Sequence, residues 1–157
     1  MIRYLIFLIS ISAFLLNTQP VLCQSTKKID ILYGVFDGRT PCQELAQQLH
    51  EQTTVECIKI KWRLILYKDS VTGEPSTYNL QGFVFKRDNP QKGNWHIIKG
   101  TKTNPLATVY EITIPGKEPL LRQKGDDNIL FFLSHEKELM VGNKDFSYTL
   151  NRVEKKL

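Results

Sequence analysis

Signatures of known enzyme chemistry are missing from this chain. It has no Gly-x-Ser-x-Gly, no His-Glu-x-x-His, no phosphate-cradling glycine loop and no cysteine with an adjacent histidine. An enzyme would need a site assembled from residues far apart in sequence, so the expectation is a non-enzymatic protein. Soft metal ligands are scarce too, with three cysteines, three histidines and two methionines in 157 residues. His50, His96 and His135 are scattered and Met140 is a lone thioether, so these residues read as surface or strand positions rather than ligands. There is no dense basic run: 21 Lys and Arg are interleaved with 16 Asp and Glu for a net charge of +5, and only Lys155-Lys156 stand together at the tail. That pattern describes a solubilising surface and makes nucleic acid an unexpected partner.

What the chain does have begins at its start. Arg3 precedes an apolar run from Tyr4 to Leu16, followed by the polar, helix-breaking Asn17-Thr18-Gln19-Pro20. This is the layout of a secretory signal peptide over residues 1–23, and the run is short for a membrane span. The mature protein is therefore expected to be exported. Its end leaves two readings open. Val21 and Cys23 suit ordinary cleavage before Gln24, giving a free protein. In the second reading Cys23 is the lipidated first residue of a lipoprotein, although Leu22 stands where such sites have a small residue. Membrane contact is expected only through that lipid.

Residues 24–157 have a length suited to one domain with a sizeable core. Two cysteines remain there, Cys42 and Cys57, an even pair bound for an oxidising compartment. They read as a structural disulfide, since a redox pair usually stands as Cys-x-x-Cys and a metal site needs three or four clustered ligands. A loop of this length is worth about 3 kcal/mol in the chain-entropy model.

Most of the chain has the period of two expected of strands. The run Ile29–Phe36 reads as a first strand ended by Gly38, and Thr40-Pro41-Cys42-Gln43 reads as a helix start with a threonine cap and proline at the first helical position. Leu45, Ala46 and Leu49 share one face of that short helix. From Cys57 the alternation is clearest, with Ile58, Ile60, Trp62, Leu64 and Leu66 on one side. Further strands are expected at 77–86, 95–99, 108–114, 120–122, 128–133, 139–141 and 146–150, with a bulge or bend at Gly82. Asp126-Asp127 read as a turn rather than as paired catalytic carboxylates. About eight to nine short strands in a meander must bury one face and hide their edges. The expected fold is mainly β, a small antiparallel barrel with one short helix near the N-terminus.

Four aromatics expected to face inward, Trp62, Tyr78, Trp95 and Tyr148, either fill the core or line a cavity for a small apolar ligand. Core packing is the commoner fate. Arg39, beside the Pro41-Cys42 turn, either caps the barrel or faces water.

Phe36-Asp37-Gly38-Arg39-Thr40-Pro41-Cys42 resembles the Gly-x-x-Pro-Cys opening of the copper resistance lipoprotein NlpE family. Gly93-Asn94-Trp95, Asp127-Asn128-Ile129-Leu130 and the segment Val141–Leu150 are similar to the same family, so that the resemblance covers most of residues 33–152. It implies a lipocalin-like barrel at the outer membrane or in the periplasm, linked to copper and envelope stress, that binds an envelope protein partner or senses rather than catalyses. The family motif continues Pro-Cys-x-x-Cys, whereas Leu45 stands at the second cysteine's place here. A lone thiolate above a leucine cannot hold a soft metal, so no cofactor is expected, and Cu(I) held by reduced Cys42 and Cys57 is the alternative reading.

Overall fold

The computed structural model describes residues 29–153. The proposed signal peptide and the lipidation reading of Cys23 lie outside the described residues. Eight strands follow one another: β1 (Asp30–Pro41), β2 (Lys59–Asp69), β3 (Pro75–Gln81), β4 (Gln91–Lys99), β5 (Thr108–Ile112), β6 (Leu120–Lys124), β7 (Ile129–Leu133) and β8 (Thr149–Val153), with one helix, α1 (Gln43–Gln48), between β1 and β2. Each strand pairs antiparallel with the next, and β8 closes on β1, giving a closed barrel. This is the small antiparallel barrel with a short N-terminal helix that the alternation predicts, and its closed eight-strand form is consistent with the lipocalin-like barrel that the resemblance implies. Closure removes the free edges that a meander of this size would otherwise expose.

Alternation builds the wall. Along β2, Ile60, Trp62, Leu64 and Leu66 are buried while Lys59 and Lys61 face water. Ile58 falls outside this pattern and is 65% exposed, because pairing with β1 begins only at Lys59 opposite Pro41. The long β1 does not stop at Gly38. It continues to Pro41, and Gly38 is needed because a Cβ there would collide with the carbonyl of Thr149 on β8. Gly82 does mark a bend: its φ of +147 ends β3 in a tight bridge to Phe85, shortening the strand expected to run to residue 86.

Other expectations shift for similar reasons. Thr40 is not the helix cap, since its backbone is still paired with Ile60 and its hydroxyl accepts a hydrogen bond from Trp62 Nε1 at 2.9 Å. Cys42 takes the cap position instead, with no side-chain cap bond. β4 starts four residues early, at Gln91, by pairing with Leu80. The strand expected at 139–141 is absent; only a single bridge joins Leu139 to Leu133. The last strand starts at Thr149 rather than Phe146 because Asn143 Oδ1 accepts the amides of Asp145 and Phe146 and curls that segment into a turn. Asp126 likewise accepts the amides of Asn128 and Ile129, as a turn residue should.

The barrel has two unlike ends. One carries α1, whose Leu45, Ala46 and Leu49 are fully buried in the mouth as a plug. The other is closed by the β2–β3, β4–β5 and β6–β7 turns around Tyr33.

Candidate functional site

At the plugged end, Cys42 and Cys57 form a disulfide with their Cα atoms 5.7 Å apart. It fixes the segment between α1 and β2 to the barrel rim. Gln43 Nε2 donates to the carbonyl of Thr54 at 3.0 Å, and Lys117 Nζ donates to the carbonyl of Leu49 at 2.9 Å and to Glu51 at 2.6 Å. Tyr148 donates to Glu44 Oε2 at 2.8 Å, tying the helix to the chain just before β8. His135 stands between Glu118, 2.9 Å from Nδ1, and the carbonyl of Gln48, 3.4 Å from Nε2. The cap is therefore held covalently on one side and by polar contacts on the others.

Outside this cap lies a cleft of about 650 Å³, walled by the disulfide, Val55, Ile58, Val141 and Phe146, with Glu44 and Tyr148 also lining it. Val55 is 95% and Val141 83% exposed, an unusual degree of apolar exposure for neighbours around one cleft. A second cleft of about 500 Å³ adjoins it, sharing Asp145 and Phe146 and reaching Arg39 and Trp62. Arg39 is exposed and does not cap the barrel.

The four sequence-predicted aromatics are all buried, but they do not meet around one cavity. Trp62 borders the second cleft, Tyr148 the first and Tyr78 a third shallow cleft on the outer wall. Each polar tip is satisfied: Trp62 by Thr40, Trp95 Nε1 by the carbonyl of Tyr67 at 2.7 Å, Tyr78 by the carbonyl of Thr113 at 2.7 Å, and Tyr148 by Glu44. Burial pushes the Tyr78 hydroxyl up to about 12 and raises Tyr148 as well, the latter helped by the adjacent Glu44. These are the contacts of packed core residues.

Three residues not singled out from sequence complete the interior. Tyr33 is the extra residue of a bulge in β1, between Leu32 and Gly34, and it turns inward against the alternation to stack on Trp95 with ring centres 5.5 Å apart. Tyr110 packs edge-on against Trp95 at 4.9 Å, and its hydroxyl lies 2.7 Å from that of Tyr33. Arg122 on β6 is 2% exposed. Its guanidinium lies over Phe132, 3.5 Å from the ring centre, and Nη1 donates to the carbonyl of Leu121 at 2.8 Å. Among the described residues no carboxylate forms an ion pair with it. A desolvated cation–π contact is worth about 2 kcal/mol, less than the several kcal/mol it costs to bury an ion. The same desolvation pushes the Arg122 guanidinium down to about 9. Sequence held one signal for it: Arg122 shares a strand face with Leu120, which is buried.

Copper does not fit the cysteines as they stand. Joined in a disulfide, Cys42 and Cys57 offer no thiolate, and Leu45 points into the core. Among the described residues no group of three or more His, Cys, Asp or Glu could hold a metal ion. Nor is any helix among them long and apolar enough to cross a membrane. No protein-family model, curated protein or solved structure matches the chain.

Proposed function

We propose that this protein is an exported, non-enzymatic binding module of the cell envelope, of the NlpE-like type, acting in the periplasm or at the outer membrane in a stress-response role. The observation that carries the reading is the apolar cleft at the disulfide-pinned cap. Val55, Ile58 and Val141 expose apolar surface on neighbouring segments, one of which the disulfide fixes to the barrel. A preformed apolar surface loses little entropy on binding, which favours a protein partner presenting apolar side chains. The disulfide itself suits an oxidising compartment.

A photoreactive residue placed at position 141, compared in intact cells with one at Val71 in the turn at the opposite end, tests this. The expected result is one discrete envelope-protein adduct from position 141, lost when Ile58 is changed to Glu, and none from position 71. Identical adducts from both positions, or none from either, would contradict the reading.

A further inference from the structure

The barrel buries a cation, Arg122, that no acidic side chain among the described residues neutralises, and the groups around it suit an anion. We infer that Arg122, with the Tyr33 and Tyr110 hydroxyls, forms an internal receptor for a carboxylate, either a small acid or the head of a longer amphiphile, admitted at the Tyr33 end of the barrel. The inference does not rest on the cap-cleft reading.

Three observations converge. First, Arg122 is buried on the inner wall, directly opposite Tyr110 on β5 and Phe132 on β7. Four carboxylates at this end have other partners: Asp127 pairs with Lys124 at 2.6 Å, Asp30 accepts from Ser76 and Thr77, Asp69 accepts the amides of Val71 and Thr72, and Asp126 those of Asn128 and Ile129. Buried charges are normally paired, and a guanidinium fork matches a carboxylate in shape and charge. Second, the Tyr33 and Tyr110 hydroxyls share a single hydrogen bond. Two hydroxyls carry two protons, so one O–H remains to donate to an oxyanion. Third, Lys68 Nζ lies 4.5 Å from the centre of the Tyr33 ring and the Arg152 guanidinium 5.2 Å from it. Both cations stand beside the ring at which an anion would enter.

The half-buried Tyr33 ring is the outermost of the stack over the buried Trp95 and Tyr110, so its rotation is the movement that entry requires. One cation and one free donor match a single negative charge, which favours carboxylate over a dianionic phosphate.

The test is calorimetric titration of the protein with sodium acetate, sodium decanoate and, as a neutral control, decanol. Arg122→Met, Arg122→Lys and Tyr110→Phe are titrated beside the wild type. Acetate or decanoate is expected to bind one to one, with affinity falling at least tenfold in Arg122→Met and severalfold in Tyr110→Phe. Binding of both acids or of acetate alone identifies a small acid as sufficient, and binding of decanoate alone identifies an amphiphile. Should Arg122→Met fail to fold, Arg122→Lys and Tyr110→Phe carry the test. The inference is overturned if neither carboxylate binds, if decanol binds as well as decanoate, or if the variants that fold bind with wild-type affinity.

Discussion

The two ends of this barrel are closed by opposite means. At the cap, residues near one another in sequence do the work: Cys42, Leu45, Leu49 and Cys57 lie within one excursion between β1 and β2. At the other end, Tyr33, Trp95, Tyr110 and Arg122 come from four strands spread over most of the described chain. The cap has apolar plugs and a covalent pin, whereas the far end has aromatic stacking, a shared hydroxyl pair and an uncompensated charge. The first arrangement serves stability; the second gives up some stability for polar groups held inside.

The largest test of this contrast is removal of the plug. Leu45→Ala, at a fully buried site, is expected to cost about 3 kcal/mol in denaturant unfolding through lost transfer energy and a residual cavity. Replacing both cysteines by alanine should cost a similar amount, about 3 kcal/mol, mainly through a freer unfolded chain. Arg122→Met should reverse the sign. In the absence of added carboxylate it is expected to raise stability by about 1 kcal/mol, because an apolar side chain of similar length removes the cost of the buried ion. A loss of 3 kcal/mol or more on that substitution would make Arg122 a structural keystone and erase the contrast.

The smallest effect is in alkaline solution. Unfolded, Tyr78 loses its proton near its ordinary value of 10.0, while in the fold it keeps it to about 12. Above pH 10 the folded state thus binds more protons, and this contribution to stability is lost as pH rises through 12. Tyr110 and Tyr148 shift in the same direction. Arg122 has the opposite sign, releasing its proton at about 9 in the fold, well below its ordinary value, so it adds stability as pH rises above 9. Three groups outweigh one, and the net decline between pH 9 and 11 in urea titrations should become shallower in Tyr78→Phe.

How much of this was legible in the sequence follows the same division. The strand alternation from Cys57 to Leu66, the paired cysteines and the helix leucines are local patterns, and they describe the barrel wall and its cap well. Local signals also misled where tertiary pairing took precedence. Thr40-Pro41 has the chemistry of a helix start, yet β1 pairs through Pro41 and spends the threonine hydroxyl on Trp62. The turn around Asn143 replaced part of an apparent strand. At the far end, Tyr33 faces inward only because of a bulge, which no alternation rule reports, and the Tyr33–Tyr110 bond spans 77 residues. The apolar cleft was not legible either, since Val55, Ile58 and Val141 meet only after the cap folds onto the rim.

Backbone hydrogen exchange on the oxidised and reduced protein tests most directly whether the two ends are held independently. The account predicts that reduction speeds exchange across residues 43–58, whose anchor it removes, while amides of Tyr110, Arg122 and Phe132 in the closed ladder keep their protection. Equal acceleration at both ends, or none at the cap, would contradict it.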